Sequence, residues 1–313
     1  MKYMRNWGYK IKYNLKYLFQ NRYKNIEIFM AFLGSLLVIA EATHYMWETD
    51  AVYNFMRNHS IVVIVVGLLW TGIKGWKKFK IECFLKNADD KIQLYVMDVL
   101  NADAAIVIPT NTTFDTKMED EFISANSVQG QFQEKFFRNN LNELDRLLEG
   151  GLKENGYIQL DRKNSKDKQY PLGTVSSVTY MGKHYYFVAI ADINEHGKTV
   201  NTKFENIQIA LEGLWNHLEN KGHIENLAMP ILGTGKAGIR GASRNRVIKE
   251  IIFSFVASAN ERKIAENLLI CVHPGDLEHK DLDFEDLEQY LNYMCKYRYA
   301  STNKEREGTE IGY

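Results

Sequence analysis

Two apolar runs within the first 80 residues restrict this chain more than any other feature. Ile26 to Trp47 covers about 22 residues, enough at 1.5 Å per residue to cross a hydrocarbon layer of roughly 30 Å. Ser60 to Trp76 is a second run, dense in β-branched residues and near the lower length limit for a span. A cleaved signal peptide does not fit the first run, because no small-residue cleavage site follows and a second apolar run comes directly after. A buried core hairpin is disfavoured by the flanking charge. The sequence therefore predicts two transmembrane helices.

Charge sets their orientation. Lys2, Arg5, Lys10, Lys12, Lys16, Arg22 and Lys24 precede the first run without an acidic residue among them, and Lys74, Lys77, Lys78 and Lys80 close the second. The connector from Glu48 to His59 holds Glu48, Asp50 and Arg57. The positive-inside rule then puts both termini in the cytoplasm. Basic residues alternate with aromatic and aliphatic ones from Tyr3 to Tyr23, the composition of a helix lying in the membrane interface or of a plain basic anchor. Glu41 and His44, three apart, share one helical face near the outer end of the first run. They lie either in the headgroup zone or along a polar path between assembled copies.

The whole chain is neutral, with 39 basic and 39 acidic residues, but its halves are not. Residues 1–80 carry twelve basic side chains against four acidic, a charge of +8, which leaves −8 for residues 81–313. An acidic soluble part is a poor polyanion binder, so nucleic acid is not expected as a partner. Cys83, Cys271 and Cys295 show neither zinc nor disulfide spacing. No metal, cofactor or catalytic constellation is expected.

From Lys91 the pattern alternates strand and helix. Strands are expected at Lys91–Met97, Ala104–Ile108, Thr174–Tyr180, His184–Ala191, Asn226–Pro230 and Leu268–Val272. Helices are expected at Gln131–Glu149, Lys203–Lys221, Ser243–Glu261 and Phe284–Arg298. This predicts an α/β fold, a mixed sheet flanked by helices, following the two transmembrane helices. The expected boundaries are a basic amphipathic segment at 1–25, spans within 26–80, a ligand-binding domain at 81–299 and a polar, disordered tail at 300–313.

Two loops carry chemistry. Met229 to Ile239 joins a strand to a helix, and Gly233, Gly235 and Gly238 let backbone N–H groups converge on an anion. It is neither a Rossmann fingerprint, being late in the domain, nor a Walker A, lacking Gly-Lys-Ser/Thr; an ordinary tight turn is the bland alternative. The other loop, Ile106 to Asp115 continued by Ile123 to Gly130, follows a strand and is rich in hydroxyl and amide side chains. Trp215, His217, His223 and His273 lack ligand spacing and are expected to serve packing. Asn194 and Thr199 to Thr202 are polar enough to meet the far end of a ligand.

Together the loops resemble a macro domain, the fold that binds ADP-ribose, over about Ile92 to Val272. Val96-Met-Asp-Val-Leu100 is similar to the family's Gly-Asp-Ile stretch, which makes Asp98, with Val99, the expected adenine contact. Ile108-Pro-Thr-Asn111 is similar to the Asn-Ala-Ala-Asn turn and assigns Asn111 to the ribose, with Thr112, Phe114 and Asp115 beside it. Tyr170-Pro-Leu-Gly173 matches the family's next turn. The resemblance places the diphosphate between Ser127, Val128, Gln129 and Gly130 on one side and Leu232, Gly233, Thr234, Gly235, Lys236, Ala237, Gly238 and Ile239 on the other. Phe114 is expected to stack on a sugar or base, with capping of the core as its alternative, and Lys236 or Arg240 to add charge at the phosphates or to stand as solvated loop charges.

The first Asn of the turn is Ile108 here, and Ser127-Val-Gln-Gly130 replaces the paired-glycine loop of ADP-ribosyl hydrolases. Both departures fall where those enzymes orient the attacking water. Two spans before such a domain resemble the membrane effector of type II Thoeris, a bacterial anti-phage system. That resemblance implies a non-enzymatic sensor at the inner membrane. An ADP-ribose derivative, a histidine conjugate made by a TIR-domain partner without required direct contact, would drive self-assembly into a homo-oligomer and membrane disruption. The alternatives are a membrane-tethered ADP-ribose-ester hydrolase, with Asp115, Asp192 and His196 as the residues to inspect, and a membrane scaffold whose loop glycines are merely turns.

Overall fold

The computed structural model describes residues 2–85, 90–118, 123–161, 166–194, 202–234, 239–278 and 281–298. It divides into two compact units, Met1–Phe79 and Lys80–Tyr313. The expected tail lies outside the described residues.

The first unit is helical: α1 Lys2–Gln20, α2 Arg22–Trp47, α3 Ala51–Asn58 and α4 Ser60–Lys74. Among the described residues, α2 is the one single helix long and apolar enough to cross a membrane. The second expected span is shorter than its apolar run, because helix geometry stops at Gly75 and leaves 15 residues, about 22 Å of rise. α3 precedes it at an angle of 88°, so a second crossing exists only if this bent pair counts as one. Of the two expected spans, the first is clear and the second rests on the bent pair of α3 and α4.

α4 buries Val63, Gly67 and Thr71, a stripe at four-residue intervals. A Cβ on Gly67 would come within 2.7 Å of Phe29 and 2.9 Å of Phe32, so glycine lets the two helices approach. Leu18 and Asn25 lie beside Gly75, while Phe32 meets Trp70 at 6.4 Å, so α2 and α4 run antiparallel. Tyr53 Oη donates to Glu41 at 3.4 Å and His44 pairs with Asp50 at 2.9 Å, tying both polar residues to the connection after α2.

The second unit is built on a seven-stranded mixed sheet. Its strands, β1 Lys80–Phe84, β2 Lys91–Val96, β3 Ala105–Asn111, β6 Val175–Tyr180, β7 Lys183–Ala191, β9 Asn226–Pro230 and β11 Asn267–Val272, lie in the order β1-β2-β11-β9-β3-β7-β6. The five inner strands are parallel and both edges pair antiparallel. Small accessory pairs join β4 Ile158–Gln159 to β5 Lys168–Gln169, and β8 Thr202–Lys203 to β10 Ile239–Arg240.

Alternation along β7 shows how the faces are filled. Tyr185 and Phe187 meet Phe132 of α5, Val128–Phe136, at 4.7 and 5.4 Å. Tyr186, pointing the other way, meets His217 of α7, Phe204–Lys221. α6, Leu141–Leu152, shares the first face, and α8, Arg244–Ala259, packs on α7 through Trp215 and Phe255. α9, Phe284–Tyr293, buries Phe284, Leu287 and Leu291. The expected helix over Gln131–Glu149 is in fact two. Ser127 caps α5, and Asn140 accepts from the Glu143 N–H to start α6 after a break at Phe137.

Candidate functional site

Parallel strands deliver their C-terminal ends to one edge of the sheet, and loops leaving those ends can surround a ligand. Here a cleft of about 420 Å³ opens at that edge. Each inner strand supplies part of its lining. Met97, Asp98, Val99 and Leu100 follow β2, Pro109, Thr110 and Asn111 end β3, and Ile190 and Ala191 end β7. Pro230, Ile231, Gly233 and Thr234 come from β9 and its loop, and Cys271, His273 and Asp276 from β11 and beyond. The wall is completed by Ile123, Ser124 and Asn126 and by Ser127, Val128, Gln129 and Gln131 around the start of α5.

Asp98 caps the short helical turn that follows β2. Its carboxylate accepts from the Leu100 N–H at 3.0 Å and from Asn101 Nδ2 at 2.9 Å, so its place is fixed and lone pairs remain for a donor in the cleft. At the far side of the same wall, Ser127 Oγ accepts from the Gly130 N–H at 2.9 Å and donates to the Ser124 carbonyl at 2.6 Å. The N–H groups of Val128 and Gln129 have no intrahelical acceptors, and both residues line the cleft, so the positive end of α5 faces it. Gly130 itself serves packing. A Cβ there would lie 2.2 Å from the Ser124 carbonyl oxygen, so only glycine lets the 124–125 backbone close over α5.

Asn111 organises the turn after β3. Its Oδ1 accepts from the N–H groups of Thr113 and Asp115 at 3.3 and 3.1 Å, while Nδ2 donates to Asp115 at 3.3 Å. The β3–β7 register shifts between Thr110 and Asn111, an irregularity placed at the cleft floor. Gly233 adopts φ +70°, the left-handed conformation that favours glycine, and Thr234 Oγ1 donates to the Ile231 carbonyl at 3.0 Å.

Of the residues singled out in the sequence, Asp98, Val99, Asn111, Ser127, Val128, Gln129, Gly233 and Thr234 meet at the cleft. Thr112, Asp115, Gly130 and Leu232 are buried behind its lining. Phe114 departs most from expectation: its backbone turns at φ +51°, its ring is fully buried, and it packs edge-on against Tyr170 at 5.6 Å. That ring fills the core and is not presented to a ligand. Gly235, Lys236, Ala237 and Gly238 lie outside the described residues, as does His196, and only the backbone of Ile239 and Arg240 is described, in β10.

Sequence reasoning missed His273 and Asp276. The His273 Nδ1 accepts from the Gly275 N–H at 3.1 Å, which leaves Nε2 to carry the proton of the neutral ring. Asp276 is oriented by Arg244, which donates to it at 3.0 Å and also reaches Asp281 at 3.2 Å. Burial works to raise the Asp281 pKa, but the backbone N–H, charge and guanidinium of Arg244 outweigh it and hold the carboxyl below its ordinary range. Beneath the cleft, burial and the nearby Asp98 charge push the Cys271 thiol up, leaving an unreactive thiol on the floor. The other expectations of plain packing agree with the contacts: Trp215 donates to Ser254, His217 bonds to Ser177, and His223 stacks on His184 at 4.1 Å. Among the described residues no group of three or more His, Cys, Asp or Glu side chains could hold a metal.

Among known families, the one described as Thoeris protein ThsA, Macro domain, matches residues 92–273. The Thoeris protein ThsA of Bacillus amyloliquefaciens (strain Y2) is 20% identical over 193 residues, which cover 59% of this chain and 61% of that protein. This chain therefore spans less than two thirds of that relative's length. Of solved structures, the Oceanobacillus iheyensis macrodomain with ADP is 10% identical with a TM-score of 0.46, covering 72% of this chain and 100% of its own. The Trypanosoma brucei macrodomain in complex with ADP-ribose is 11% identical with a TM-score of 0.40, covering 65% of this chain and 68% of its own.

Proposed function

The chain belongs to the Thoeris protein ThsA macro-domain family, and on that premise we propose that its α/β unit captures an ADP-ribose-derived signal and that occupancy acts on the membrane through the N-terminal helices. The observation that carries the reading is one cleft flanked by the fixed Asp98 carboxylate and by the N-terminal end of α5. A carboxylate suits the amino group of adenine, and free helix N–H groups suit a diphosphate. The signal we assign is a histidine conjugate of ADP-ribose made by a TIR-domain partner without required direct contact.

Supporting the membrane half is the apolar surface of α2 and α4, where Val38, Ile61, Leu68 and Leu69 stand more than half exposed. Water does not tolerate such a surface; lipid does. We place the chain in the inner membrane of a bacterium with both termini cytoplasmic. A short two-helix hairpin encloses no pore, so disruption requires several copies. The protein acts by binding, without turnover.

Titration calorimetry with ADP-ribose, and then with its histidine conjugate, tests the reading. Asp98→Asn keeps an acceptor for the Leu100 N–H but removes the charge, and should weaken binding about tenfold with little change in melting. Absence of binding to the wild type sinks the sensor. Steady release of ADP-ribose from an ester substrate would replace it with a hydrolase.

A further inference from the structure

Capture of a nucleotide leaves α1 without a task, yet this helix is tied firmly into the first unit. Asn14, fully buried, accepts from the Lys77 N–H at 2.8 Å. Tyr13 meets Phe79 edge-on at 5.8 Å, and Lys77 Nζ lies 4.6 Å from the Tyr17 ring. Asn25 Nδ2 reaches the Leu18 carbonyl at 2.6 Å, seven residues back. A straight helix would separate those positions by about 10 Å, so the chain bends between α1 and α2. The bend folds the C-terminal half of α1 against the segment that leaves α4.

This fold-back gathers charge. No acidic residue occurs before Glu27 or between Asp50 and Glu82, so the two joined segments bring only cations. Lys12, Arg22, Lys24 and Lys74 are exposed, and none of them pairs with a carboxylate among the described residues. Leu15 and Phe19, one helical turn apart on α1 and close in sequence to Lys12 and Arg22, expose 48% and 82% of their surface, and Trp76 is exposed nearby in sequence to Lys74. Asn14 Nδ2 is buried without an acceptor among the described residues, a donor at the junction that an entering phosphate oxygen would satisfy.

We propose that α1 and the exit of α4 form a collar for the headgroups of anionic phospholipids, with Asn14 as the positioning residue that holds the two basic segments together. A free phosphate would use the lysines but gain nothing from Phe19 and Leu15. A lipid surface offers negative charge and an apolar layer at once. The inference rests on the membrane half of the proposed function and adds the lipid class that the segment selects.

The full chain, reconstituted into phosphatidylcholine bilayers containing phosphatidylglycerol, provides the test. Lipid preference is read from tryptophan quenching by brominated phosphatidylglycerol against brominated phosphatidylcholine. Wild-type protein should favour phosphatidylglycerol at least about tenfold at low salt, since each basic residue near an anionic surface contributes about fivefold. Replacing Lys12, Lys24 and Lys74 together by Gln should bring the two lipids close to parity. Asn14→Ala changes no charge and should still lose several-fold of the preference. Unchanged circular dichroism and ADP-ribose titration show that each variant is folded. Release of the wild type from bilayers by alkaline carbonate overturns the membrane reading and the collar together. Stable insertion with equal quenching by both lipids, or a preference that survives the triple substitution, overturns the collar alone.

Discussion

The two units use the same aliphatic residues to opposite ends. In β2, Ile92, Leu94 and Val96 are sealed between helices and sheet, whereas in α4 Ile61, Val62 and Ile64 expose 77%, 52% and 48% of their surface. The α/β unit carries its own solvent-free interior, so its stability is a property of the chain. The helical unit has a narrow seam through Val63, Gly67 and Thr71 and leaves much of its remaining apolar surface exposed. That contrast is what the proposed sensor with a membrane output would need.

The largest expected effect separates the units directly. Phe132 packs against Phe136, Phe137, Tyr185 and Phe187, so Phe132→Ala should cost the α/β unit about 3–5 kcal/mol in chemical denaturation. Leu69→Ala on the exposed side of α4 should cost less than about 1 kcal/mol in detergent. Similar costs at both positions would remove the distinction. Next is Gly130→Ala, whose new methyl meets a backbone oxygen that cannot step aside. A loss of about 3 kcal/mol is expected, with ADP-ribose binding weakened as the 124–127 wall shifts. An affinity equal to the wild type would show that this wall does not touch the ligand. Gly67→Leu should disturb the helical seam by about 2 kcal/mol, because Phe29 and Phe32 must move, while the melting of the α/β unit stays unchanged.

How much was legible follows the same divide. Asn226–Pro230 is legible to the residue, since a polar stretch ends at Asn226 and Pro230 removes a ladder donor ahead of the Gly233 turn. The apolar stripe from Gln131 to Glu149 keeps phase across the break and so predicts one helix, whereas the cap at Asn140 starts a second. β1 is not legible because Lys80 reads as the basic closure of a span, although Ile81 is buried in the sheet. At the site, motif residues such as Asp98 and Ser127 were legible as local patterns. His273 and Asp276 were not, because they reach the cleft only when β11 inserts beside β2, and no local pattern encodes that crossover. Phe114 misled for the opposite reason. Its neighbours in sequence line or back the cleft, but one left-handed backbone turn sends its ring inward.

The smallest effect concerns a charge that only a self-sufficient core would carry. Asp192 follows β7 at the cleft end of the sheet, where burial raises its pKa and Lys203 offsets that only in part. A carboxyl with a raised folded-state pKa holds its proton at pH values where the unfolded chain has released it. Below the ordinary carboxylate range both states are protonated and no penalty exists; as pH rises through the folded pKa, stability is lost. Asp192→Asn removes the charge and should raise the melting temperature at pH 7 by up to about 2 °C. That gain should shrink as the pH is lowered toward about 4. A gain independent of pH would assign the effect to packing instead. If the variant also binds ADP-ribose as the wild type does, the half-buried charge is a tolerated strain beside the cleft, with no part in holding the ligand.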